Sequence, residues 1–291
     1  MGTDTRQVVM LQTTDAEFRT WVAAMIDQLN DIGLTQTADT GQINTTTVLK
    51  PAGVSASQGY AIFRFNDALQ ATAPIYLKIE FGSGAGAATN PQIWTTWSSA
   101  TDGAGTLGGI SYRARTVQAF TTGNAGSYPW AACYNTDVGT FWAAWANSAG
   151  INVMSLAART GDAVTGAPNE LGVLTVATSG SWAARLHDIA LSSAETGSNL
   201  AAAPYTLASA EPVFMHEGRI IAFAASSMLD TGYIVGFPGI LGYAANQLPT
   251  FFPCYASPYG VEYTYLALGP FGGYNVLVNG GNNDRPLLIW E

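Results

Sequence analysis

Charge is what this chain has least of. Only 11% of its 291 residues are Asp, Glu, Lys or Arg, against roughly 25% in an ordinary globular domain. Lysine is nearly missing, at Lys50 and Lys78 alone. Acids outnumber bases, giving a net charge of −9 and a pI near 4.5. A nucleic-acid surface needs a basic patch to displace counterions, and Arg113 and Arg115 are the nearest approach to one. Two arginines are too few. No nucleic-acid partner is expected.

Cysteine and histidine are equally scarce. Cys133 and Cys254 stand alone, with no C-x-x-C spacing and no histidine cluster. With no basic region followed by an apolar run at the N-terminus, they read as reduced, buried thiols. Met1-Gly2 opens a myristoylation pattern that Arg6 breaks, because Ser or Thr is required there. The two histidines, His187 and His216, are too few for most metal sites, and H-E-x-x-H fails at His216. No G-x-S-x-G elbow occurs. His187-Asp188 is the one pair able to act as a proton relay, and an ordinary polar pair at a strand explains it better. Asn282-Asn283-Asp284 offers oxygen ligands without the calcium-loop spacing. No cofactor, metal or catalytic residue is assigned.

One famous pattern is present. Gly103-Ala104-Gly105-Thr106-Leu107-Gly108 reads G-x-G-x-x-G. A dinucleotide loop needs a helix after its glycines and an acid about 20 residues on. Here Ile110 to Val117 is built of strand formers, and the next acid after Asp102 is Asp137. The stretch reads as a hairpin turn.

One helix announces itself. Thr14 and Glu17 form a capping box. Phe18, Val22, Met25, Leu29 and Ile32 then make an apolar stripe, widened by Trp21 and Ile26 and stopped at Gly33. The stripe packs either on its own domain or on another copy, and Phe18, Val22, Met25 and Leu29 are candidate assembly contacts.

Beyond Gly33 the texture changes to short apolar runs broken by Gly, Pro, Asn and Ser. Gly59–Phe65 and Ile75–Phe81 read as strands, the second alternating cleanly. The expectation is a mainly β protein, an antiparallel sandwich or barrel-like body with one N-terminal amphipathic helix over about 14–32. Residues 1–50 read as an arm and helix and 51–291 as the β-rich body.

From Thr231 to Asn283 the only charged side chain is Glu262. Five prolines with many glycines exclude a membrane helix. Such a segment is deep core or an assembly interface, with Phe237, Phe251, Phe252, Tyr255 and Tyr259 as candidate contacts. The tryptophans, among them Trp94 and Trp142, read as core first and as a glycan-stacking surface second.

Several stretches together resemble a known group. DAEFRTWVAAMIDQLNDIGLTQ is followed by GYAIFRFND, APIYLKIEFGSG, ATNPQIW and TDGAGTLGG. They look like the N-terminal halves of structural proteins in tailed-bacteriophage particles. The resemblance covers the first third or so of the chain, and its motifs are architectural. It implies a virion protein made in the host cytoplasm, of the tail or baseplate, assembling with itself as a trimer or hexamer and with other virion proteins. A receptor- or glycan-binding tip module and a capsid decoration or head-fibre protein are the alternatives. The resemblance carries over no catalytic residues.

Overall fold

The fold is mainly β, as a computed structural model of the chain shows, with 51% of residues in strands. It describes residues 2–9, 13–84, 88–89, 91–119, 127–147, 150–178, 182–191, 195–196, 215–216, 219–220, 223–228, 231–242, 252–267 and 287–291.

The helix runs Asp15–Asp31. Thr14 is its N-cap: the Thr14 hydroxyl accepts the Glu17 N–H, and the Glu17 carboxylate accepts the Thr14 N–H at 2.9 Å. Two orphan donors of the first turn are thereby satisfied.

After the helix comes a five-stranded antiparallel sheet of Thr35–Gln36, Ser57–Arg64, Tyr76–Ser83, Pro91–Thr101 and Leu107–Ala119, paired in chain order. In the third strand Leu77, Ile79 and Phe81 are buried, while Tyr76, Lys78 and Glu80 are half-buried on the other face. That is the two-residue period of a sheet with one face on the core.

The second sheet has 14 strands and curls into a half-barrel. Its main path runs Gly2–Val9, Ser127–Asn135, Thr140–Asn147, Gly150–Asp162, Ile234–Gly242, Leu287–Ile289, Tyr263–Ala267, Phe252–Ala256, Arg219–Ile220 and Met215–His216. Pro168–Thr178 branches off beside Gly150–Asp162 and pairs onward with Trp182–Asp188. All pairings are antiparallel except Arg219–Ile220 against Phe252–Ala256.

One core lies between the helix and the two sheets. Trp21 meets Phe81 edge-on at 5.8 Å, Phe65 meets Tyr134 at 4.8 Å, and Trp97 meets Phe141 at 5.6 Å. The Tyr134 hydroxyl accepts the Asn66 N–H at 2.7 Å. Gly2–Val9 and the helix are built into this body, the strand as part of the large sheet and the helix in the shared core.

That packing corrects one expectation. Phe18, Val22, Met25 and Leu29 are buried within their own chain, against the five-stranded sheet and the first strands of the large one. A side chain already removed from water has no further apolar area to offer a second copy. The stripe is core.

A buried ion pair staples the two sheets. Asp67, in the connection after Ser57–Arg64, faces Arg159 on Gly150–Asp162. The guanidinium donates from Nε to Asp67 Oδ2 at 2.7 Å and from Nη2 to Oδ1 at 2.9 Å, while Nη1 donates to the Ala73 carbonyl at 2.6 Å. Both side chains are almost wholly buried. Fork-to-fork geometry with every donor nitrogen engaged is what makes a buried pair tolerable.

Candidate functional site

The G-x-G-x-x-G stretch joins two antiparallel strands, Pro91–Thr101 and Leu107–Ala119. No helix follows it, and its amides are already spent. Asp102 Oδ1 accepts the Ala104 and Thr106 N–H groups at 2.8 and 2.9 Å, and Asp39 Oδ2 accepts that of Gly105 at 3.2 Å. An incoming phosphate would have to displace two carboxylates.

The loop is latched from outside as well. Asp39 also accepts the Thr101 hydroxyl, Lys78 Nζ donates to the Gly105 carbonyl at 2.7 Å, and Thr40 N–H donates to that of Gly103 at 2.9 Å. Lys78 stands 4.1 Å over the Tyr60 ring, and the Tyr60 hydroxyl donates to the Thr40 carbonyl at 2.7 Å. Gly105 is required twice over. Its φ is +94°, and a Cβ there would lie 1.8 Å from the Tyr60 hydroxyl.

Burial pushes the Asp39 carboxyl up, but the hydrogen bonds from Thr101 and Gly105 help bring it below the usual aspartate value. Asp102 is lowered by the Thr106 and Ala104 amides. Lowered acids stabilise the fold above the ordinary value of about 3.9, and that contribution disappears as pH falls through the folded one. Carboxyl-carbon NMR titration is expected to place both midpoints below the ordinary value. A midpoint for Asp39 at or above it would refute the latch.

His187 and Asp188 are consecutive on the strand Trp182–Asp188. Neighbours on one strand point to opposite faces, and here each has its own surroundings. His187 is buried against the Tyr112 ring at 5.8 Å, with Nε2 3.5 Å from the Thr175 hydroxyl. Asp188 accepts the Ala190 N–H at 3.1 Å, the Thr231 N–H at 3.0 Å and the Thr231 hydroxyl at 2.6 Å. Desolvation pushes the Tyr112 phenol up to about 12. Among the described residues, no group of three or more His, Cys, Asp or Glu side chains could hold a metal ion. Residues 282–284 lie outside the described residues, and His216 pairs with Arg219 across a short antiparallel ladder.

The thiols are as expected. Cys133 and Cys254 are buried and form no disulfide, and burial pushes the Cys254 thiol up to about 11. Trp94, Trp97, Trp130 and Trp142 are core, and Trp142 donates its indole N–H to the Ile289 carbonyl at 2.6 Å. Rings so placed offer no stacking platform to a sugar.

The uncharged segment divides. Phe237 is wholly buried in the large sheet, so it is core and no contact for a second copy. Phe251 lies outside the described residues, and Phe252 opens the strand Phe252–Ala256. Tyr255 is exposed and Tyr259 half-buried.

Tyr259 is the hub of the one surface feature that stands out. It sits in the turn between Phe252–Ala256 and Tyr263–Ala267. Its ring lies on Gly166, where a Cβ would come within 2.4 Å of Cδ2, and its hydroxyl lies on Gly236, 2.5 Å from where a Cβ would be. Gly166 has φ of +72° in the turn linking Gly150–Asp162 to Pro168–Thr178, and Val235, beside Gly236, pairs with Asp162. Three chain segments therefore converge on one ring. Burial first, and then the Asp162 carboxylate, hold its phenol above the usual value.

These segments carry Val164, Tyr233, Ile234, Tyr255 and Val261, five of the seven large apolar side chains that the described residues leave exposed. The other two, Leu49 and Val54, lie elsewhere in the chain.

No protein-family model, curated protein or solved structure matches this chain.

The tip was missed by sequence reasoning except for Tyr255 and Tyr259. Val164 lies about 90 residues upstream of them, and the pairing of Val235 with Asp162, with the Tyr259 ring on Gly166, brings it alongside.

Proposed function

We propose that this chain is a structural component of a tailed-phage particle, of the tail or baseplate, assembling in symmetric copies. The observation that carries the reading is the apolar tip. Contiguous apolar surface is rare on a free monomer and marks a partner, and a particle supplies identical partners in every copy. The low charge of the chain supports it, since a surface covered by neighbours needs little charge for solubility. The resemblance of the sequence over the helix and about Gly59 to Gly109 to tailed-phage structural proteins gives the direction.

The glycan-binding alternative is less supported, because Trp94 and Trp142 are interior. Capsid decoration and tail are separated by position alone. The test is cryo-electron density of purified particles carrying an epitope on this chain, with mass spectrometry of their proteins. Symmetric tail or baseplate density is expected. Absence of the chain from intact particles overturns the reading.

A further inference from the structure

We infer that the three-turn tip built on Tyr259 is the surface through which one copy of this chain binds a second copy; the inference rests on the proposed assembly role and names its contact.

Area is the first argument. Val164 is 83% exposed, Ile234 67%, Tyr233 59%, Val261 54% and Tyr255 46%. Two of the five are tyrosines and three are smaller aliphatics, so together they leave on the order of 500 Å² of surface in water. That is within the range for the largest patch on a monomer, roughly 300–600 Å². Doubled across two copies it gives about 1,000 Å², and a polar rim brings it to the roughly 1,200 Å² at which specific, stable interfaces begin. The tip is large enough to be the centre of a dimer contact.

Charge is the second. No lysine or arginine lies in residues 160–170, 231–242 or 252–267. Within these segments a nucleic acid or an acidic protein finds no cation, though Arg219 pairs with Tyr255 from the neighbouring strand. Three acids lie in these segments, Asp162, Glu170 and Glu262, and Glu262 is exposed beside Val261. Asp162 accepts the Val164 and Thr165 N–H groups at 3.0 and 2.7 Å and the Thr165 hydroxyl at 2.9 Å, and Glu170 accepts the Thr72 hydroxyl. One exposed acid does not call for a basic partner. Apart from Glu262 at its edge, what remains is neutral, apolar and aromatic, and its complement is a surface of the same kind. A second copy presents that surface, and a twofold contact places each patch on its twin.

Rigidity is the third. Tyr259 is wedged over Gly166 and Gly236, Asp162 caps its own turn, and the Tyr265 hydroxyl donates to the Pro238 carbonyl at 2.9 Å. The exposed side chains stand on backbone that is already fixed, so association orders little and loses little affinity to entropy. The helix stripe and Phe237 cannot compete for this role, being inside the fold.

The experiment is sedimentation equilibrium on the full chain over a concentration series, beside Val164→Asp, Ile234→Asp and Leu49→Asp, with circular dichroism to verify folding. The parent chain is expected to self-associate. Val164→Asp and Ile234→Asp each weaken that association by about thirtyfold or more, the scale of a hot-spot loss, while Leu49→Asp leaves it unchanged. Val164 is on an exposed turn, so its variant keeps the test open if Ile234→Asp does not fold. A parent chain that stays monomeric at every concentration overturns the inference, including the case in which the tip serves a different protein. Association unmoved by the tip variants, or equally moved by Leu49→Asp, also overturns it. A chain that dimerises through the tip but is missing from particles overturns the virion reading and leaves this one standing.

Discussion

Asp67→Ala unfolds with about 3–5 kcal/mol less stability than the parent chain, because it strands the Arg159 guanidinium in a place with no water. The pair is almost wholly buried, and without Asp67 only the Ala73 carbonyl remains among the named acceptors. Desolvation, not lost attraction, sets the size of the effect, so removing both charges should be milder than removing one. Asp67→Ala combined with Arg159→Met is expected to recover most of the loss, since methionine fills much of the same volume without a charge. Urea denaturation at unchanged slope is the measurement. If Asp67→Ala costs under about 1 kcal/mol, the pair behaves as a surface bridge and does not staple the sheets.

Trp97→Ala is expected to cost about 3–5 kcal/mol by opening a cavity where the two sheets meet. Trp97 is wholly buried, edge-on to Phe65 at 6.2 Å and tilted against Phe141 at 5.6 Å across the interface. Its indole N–H has no hydrogen-bond partner among the described residues, so the loss is packing alone. Trp97→Phe keeps an aromatic ring and gives up no hydrogen bond, and should retain most of the stability. Denaturant unfolding distinguishes the two. Equal losses for Ala and Phe would contradict a packing role.

The helix was legible because its signals are local. A capping box and an apolar stripe lie within one short stretch, and no distant strand is needed to read them. The strand Tyr76–Ser83 was legible for the same reason, through its alternation. What the stripe packs on was not, since an apolar face looks the same whether its cover is the same chain or another. The Thr231–Asn283 segment failed similarly. Val235 to Ile240 is buried without alternation, and Tyr233 and Ile234, next in sequence, are exposed. Lack of charge is common to both. The latch on Gly103–Gly108 was half legible: its flanks declared a hairpin, but Asp39 reaches it from more than sixty residues away.

The strand Leu287–Ile289 lies inside the large sheet, between Ile234–Gly242 and Tyr263–Ala267, with the Trp142 indole bonded to its backbone. This dictates an order of events during synthesis. The helix and the five-stranded meander use contacts close in sequence and can form while the ribosome is still working. The half-barrel has to wait, because a gap stays open in it until residue 289 has emerged. During that interval the flanking strands present unpaired edges, the state most prone to wrong pairing between nascent chains. A ribosome stalled short of the final strand would release a protein with a finished front half and an open, adhesive rear.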